Sequence, residues 1–155
     1  MVQKLSFISL IFQAIPEGIA LTALVFAFLK LKLNWTQVAF IGILFGLVSF
    51  SIRYLPLSFG VHTVILIFLL SLLIKIKTDK QISLILIQVI LSFVILAIGE
   101  LVLVGGLLAV TKLPWEQVEN SQWLRVFFGL PHILLMLVIA LVKNLANSKS
   151  LSTPH

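Results

Sequence analysis

Five runs of about twenty apolar residues, each closed by charged or turn-forming residues, decide most of what this chain can fold into. They cover 5–29, 36–55, 57–76, 82–110 and 124–142. A hydrocarbon core of ~30 Å takes about 20 apolar residues in a helix. The runs are continuous and do not alternate with period two, which argues against barrel strands. In lipid a backbone must satisfy its own polar groups, and a helix does so. The predicted fold is an all-α membrane protein. It is a five-helix transmembrane bundle within residues 1–143, followed by a flexible cytoplasmic tail at 144–155.

Composition agrees. Of 155 residues, 61% are hydrophobic and 10% charged, whereas a soluble domain is about half apolar and a quarter charged. A chain this short has too little interior to hide that surface from water. The net charge of +6 would indicate nucleic acid in a soluble protein. Here the basic residues lie mainly between the apolar runs, as topology signals and headgroup contacts, so the expected partner is the lipid bilayer. With no cysteine, disulfides, thiolate zinc sites and cysteine nucleophiles are excluded. Lys4 precedes the first run as in a signal peptide, but that run exceeds the usual ~7–15-residue core and reads as a retained span.

The breaks are short. Residues 30–35 separate the first two runs. Tyr54-Leu55-Pro56-Leu57-Ser58 reads as a tight hairpin. Residues 75–81 carry three lysines, and 112–123 is the longest polar connection. The fourth run exceeds one straight span. It reads as one tilted or extended helix, the alternative being an early end at Gly105-Gly106. With five spans, Lys30, Lys32, Lys75, Lys77, Lys80, Lys143 and Lys149 fall on one side. Lys4, Arg53, Lys112 and Arg125 fall on the other. The positive-inside rule places the first set in the cytoplasm, with the N-terminus outside and the C-terminus inside.

Two acids interrupt the apolar runs. Glu17 lies mid-run after Pro16, and Glu100 follows Gly99. An acid at a helix centre costs ~2.5–3.5 kcal/mol on the insertion scale, and such residues default to a functional reading. The fourteen Leu, Ile, Val and Phe residues of the first run offset this at ~0.3–0.6 kcal/mol each. The carboxylate must still face protein or water. Both acids lie roughly 18 Å from the outer boundary at ~1.5 Å per residue. Ser6, Gln13 and Glu17 share one helix face within about 40°, and Gly42, Gly46, Ser49 and Arg53 share one within about 60°. Gly42 and Gly46 form a small-xxx-small step that lets another helix approach. Arg125 and His132 share a face of the fifth run, and His62 sits in the first turns of the third. Pro16 and Pro131 free the carbonyls of Phe12 and Phe127.

The predicted ligand- or ion-binding set is therefore Glu17, Glu100, His132, Arg53, Arg125, His62 and Gln13, forming an outward-opening polar pocket. Simpler roles compete. His62 and Arg125 can snorkel to headgroups, Arg53 can pair with an acid to hold the bundle, and the glycine step can serve packing alone. Hydrolase, phosphate-loop and dinucleotide motifs are absent. Two glutamates and two histidines have no recognisable metal-ligand spacing, and no cofactor is called for.

Two stretches carry a resemblance. They are Ile15-Pro16-Glu17-Gly18-Ile19-Ala20 and Ile52-Arg53-Tyr54-Leu55-Pro56-Leu57-Ser58-Phe59-Gly60-Val61-His62-Thr63. They resemble the multi-span N-terminal membrane regions of Firmicute sensor histidine kinases of the accessory-gene-regulator and sporulation type, and short stand-alone relatives. The resemblance implies extracellular ligand sensing with a cytoplasmic C-terminus. It does not imply kinase activity, since these 155 residues hold no phosphoacceptor helix or ATP-binding domain. The expected function is a multi-pass sensory or regulatory module of the cell membrane, binding a small ligand, peptide or cation. Its expected partners are a signalling protein or transport subunit at the cytoplasmic side and a second copy in a homodimer. A small proton- or cation-coupled transporter is the alternative, and an intramembrane metal-dependent enzyme using Glu17, Glu100 and His132 is the third reading.

Overall fold

Asn34 begins the second helix in an extended conformation, its side-chain oxygen accepting from the Thr36 N–H at 3.2 Å, an N-cap in the usual sense. Such local signals set the elements of the computed structural model, which describes residues 7–53, 55 and 60–151. In chain order these are α1 (Phe7–Phe28), α2 (Trp35–Ile52), α3 (Val61–Lys77), α4 (Ile82–Thr111), α5 (Trp115–Asn120) and α6 (Gln122–Leu151). The fold is all-helical, with no strand among the described residues. Four helices, α1, α2, α4 and α6, are long and apolar enough to cross a bilayer. α3 has 17 residues and ends in Lys75 and Lys77, which suit the negative end of its dipole. The predicted hairpin at 54–58 lies, apart from Leu55, outside the described residues. Gly60, with φ of 100°, precedes α3 in a conformation that disfavours any residue with a Cβ.

α1 is the hub. Ala20, Leu21, Ala23, Leu24, Val25, Phe26 and Ala27 are all sealed from the surface. On one side α2 runs antiparallel, since Ala14 meets Gly46 while Ile19 meets Gly42. On the other α6 runs parallel, since Gln13 meets Gly129 while Ala27 meets Asn147. The α1–α2 approach is backbone to backbone. A Cβ on Gly42 would lie 2.5 Å from the Ile19 Cα, and one on Gly46 would lie 2.7 Å from the Ala14 carbonyl oxygen. Only glycine permits that contact, which substitutes van der Waals packing for a hydrophobic drive between helices. α4 docks more lightly, through the edge-on Phe45–Phe93 pair and through Gly99 against α6.

One stretch follows the sequence expectation and two depart from it. The fourth run is one unbroken helix through Gly105-Gly106, because Leu107 to Val110 carry the helical pattern on until Lys112 turns left-handed at φ 53°. The polar connection 112–123 contains α5, which starts after Pro114 and buries Val118. The segment after Lys143, expected to be a flexible tail, continues α6 to Leu151. Its Asn147 amide donates to the Ala27 carbonyl at 2.9 Å, satisfying an acceptor at the end of α1.

Candidate functional site

The site begins with a fault in α1. Proline has no N–H to give, so Pro16 cannot bond the Phe12 carbonyl. The preceding residues, Leu10–Ala14, form a π-helical turn in which the Ile15 N–H reaches Leu10. Such turns shift the helical register locally and recur where a side chain must be re-aimed. Just beyond, Glu17 stands beside Gly18, whose carbonyl accepts the Thr22 hydroxyl at 2.8 Å.

α2 delivers the partner. Gly42, Gly46 and Ser49 are buried, with both glycines against α1, and the same stripe ends at Arg53. Its Nη2 lies 3.8 Å from Glu17 Oε2, the side chains being 35% and 18% exposed. That separation exceeds a hydrogen bond, so the pair attracts without closing. A water molecule or a polar ligand group can bridge such a gap.

α6 supplies the third wall. His132 is 2% exposed, and its Nδ1 has no hydrogen-bond partner among the described residues. One turn earlier Gly129 makes room for Gln13, whose amide nitrogen lies 3.3 Å from where a Cβ would stand. From α4, Gly99 lets the His132 Cβ approach to 3.7 Å of the same kind of position. The charged or chargeable groups close enough to act electrostatically on Glu17 are Arg53, His132 and Glu100. A buried polar atom lacking a partner is costly and points to an interaction still to be made.

The remaining candidates stand elsewhere. Glu100 is within electrostatic reach of Glu17 but exposed on the surface of α4, because Gly99 takes the inward face and the next residue is rotated by about 100°. Arg125 turns to α5, donating to the Glu119 carbonyl at 2.6 Å. His62 is half-buried in the first turn of α3 and is not among the groups acting on Glu17. Ser6 lies outside the described residues. The expected seven-residue cluster thus draws in to Gln13, Glu17, Arg53 and His132, with Glu100 at its margin. Among the described residues no three His, Asp or Glu side chains converge to hold a metal ion.

The small residues opposite the cluster escaped the sequence reading. Ala14 and Gly18 form a small-xxx-small step in α1 that mates with Gly42 and Gly46. In the sequence Ala14 and Gly18 each directly follow a polar residue, Gln13 or Glu17, whose signal is the stronger. Comparison with known protein families, with characterised proteins and with solved structures found no match to this chain.

Proposed function

We propose that this chain is a multi-pass sensory or regulatory module of the cell membrane. In this reading all five long helices span the bilayer, the N-terminus lies outside and the C-terminus inside. The Glu17–Arg53 pair, with Gln13 and His132, is the ligand site in the outer half. A small ligand, a peptide or a cation enters the open ion pair and takes up the bare His132 nitrogen.

One observation carries the proposal: α6 touches α1 at both ends of its length. It contributes His132 to the polar cluster, and fifteen residues on it contributes Asn147 to the Ala27 carbonyl. At ~1.5 Å per residue that is about 22 Å of continuous helix. A ligand that binds one packing of α1 against α6 better than another shifts the balance between them. A stiff helix then carries the shift to the far end. The resemblance to sensor-kinase membrane regions points the same way.

The chain has no cysteine, so paired spin labels can be placed cleanly at Lys30→Cys and Ser148→Cys, beside the Ala27–Asn147 contact. In membranes, Glu17→Gln should change the distance distribution between them. An unchanged distribution in both Glu17→Gln and Arg53→Gln would sink the coupling. Reporter fusions after Lys32, after Lys77 and at the C-terminus should all report the cytoplasm; an external tail reverses the orientation.

A second reading has one observation of its own. An unpartnered buried imidazole beside a carboxylate is also a proton-handling pair, as in a small proton- or cation-coupled transporter. Proton-coupled flux in liposomes, abolished by Glu17→Gln, would replace the sensor with that reading.

A further inference from the structure

At the end of the molecule opposite Glu17, the α1–α2 and α3–α4 connections line an open cavity of about 430 Å³, within the range of small-molecule sites. Phe26 and Leu31 give it an apolar wall, and Lys32, Lys77 and Lys80 face it alongside Asp79. Three lysines against one aspartate leave an excess of two positive charges. That excess is not cancelled internally. Among the described residues, no ion pair joins Asp79 to these lysines, and neither the Lys32 nor the Lys80 side chain has a hydrogen-bond partner. Lys77 instead rests 5.5 Å over the Phe40 ring, and the Lys75 ammonium donates to the Lys80 carbonyl at 2.9 Å, fixing the loop.

The cavity also sits at a particular level. The apolar lengths of α1 and α3 end beside it and those of α2 and α4 begin there, with Trp35 half exposed at the start of α2. Tryptophan at a helix end marks the headgroup layer. Phe40 and Ile76, 58% and 68% exposed, give apolar outer surface on the adjoining helices. We infer that this cavity binds a phosphate group, and that its source is the headgroup of an anionic phospholipid whose acyl chains lie along α2 and α3. A zwitterionic headgroup brings its own cation into the positive field and is disfavoured. This site is independent of the Glu17 cluster.

The test uses the full chain in detergent, stripped of lipid and titrated with phosphatidylglycerol or phosphatidylcholine, with bound lipid counted by native mass spectrometry. Phosphatidylglycerol should be retained in preference. Replacing Lys32, Lys77 and Lys80 together by Gln should weaken it about a hundredfold, about fivefold per lysine. Lys112→Gln, at the other end, should leave binding unchanged. Asp79→Asn should tighten it by up to about fivefold, a gain that a misfolded protein does not give. Glycerol 3-phosphate that competes at millimolar concentration would assign the phosphate site to soluble esters, and absence of competition assigns it to lipid. Equal retention of both lipids, or a triple variant that binds like the wild type, would overturn the inference.

Discussion

α1 and α4 each carry one glutamate well inside a long apolar run, yet their surroundings are opposite. In the most apolar stretch of α1, 56% of residues are buried at a mean hydropathy of 1.8, against 22% at 2.8 for α4. The more apolar helix is thus the more exposed one. Water would impose the reverse order, because it penalises exposed apolar surface. A bilayer favours what is seen: the helix facing lipid must itself be apolar, while the helix facing protein can spend positions on Gly, Pro, Gln and Glu. The two acids follow their helices. Glu17 has Arg53 and His132 around it, whereas Glu100 lies on an exposed face, its insertion cost of ~2.5–3.5 kcal/mol offset by the surrounding Leu, Ile and Val at ~0.3–0.6 kcal/mol each.

The sharpest way to break this comparison is to add bulk to a glycine on each helix. Gly42→Leu puts a side chain into the α1 backbone, and relief requires the two helices to part. We expect a loss of about 3 kcal/mol or more, the upper end of overpacking costs, read as a shift in detergent-unfolding midpoint. Gly105→Leu meets open space, with nothing within 4 Å of its Cβ position, and should leave the midpoint within about 0.5 kcal/mol. Equal losses would mean that α4 is packed as tightly as α1.

The acids give the next contrast. Glu17→Ala leaves Arg53 without its counter-charge and should cost about 1 kcal/mol, held to that size because both groups remain partly exposed. Glu100→Ala should change stability by less than about 0.5 kcal/mol. A double-mutant cycle between Glu17→Ala and Arg53→Ala should return a coupling of about 0.5–1 kcal/mol. A coupling of zero would show that the two charges sit near each other without interacting.

How far the sequence reaches can be judged on these same residues. That Glu17 needs company follows from its position alone, because the cost of a lone carboxylate in lipid is local chemistry. Arg53 was legible as a partner for one of the two acids, since the Gly42-Gly46-Ser49 stripe ends at it, but the sequence left open which acid it meets. His132 was legible through Pro131 and its depth. The outward turn of Glu100 was not, because depth along a helix says nothing of rotation about it until the packing partner of Gly99 is known. Arg125 was misread for a related reason. Its true partner, the Glu119 carbonyl, is fixed by α5, and a six-residue helix with one buried valine leaves almost no periodic signal.

The most local expected effect tests the far end of α6. Residues 144–151 are polar enough to read as a loose tail, and no local rule holds them helical. Their contact with α1 is at Ala27, 120 residues earlier in the chain, and only the folded pairing of α1 with α6 creates it. Asn147→Ala should therefore cost about 1 kcal/mol, the usual net worth of one hydrogen bond. The loss should be local: faster amide exchange over 145–151 with exchange in 20–27 unaltered, because α1 there is sealed by other contacts. Ser148→Ala, whose hydroxyl bonds only within its own turn to Leu145, should leave exchange as it is. If both variants behave alike, the end of α6 is held by its own helical propensity, and the Ala27–Asn147 contact loses its standing as the second anchor of the α1–α6 pair.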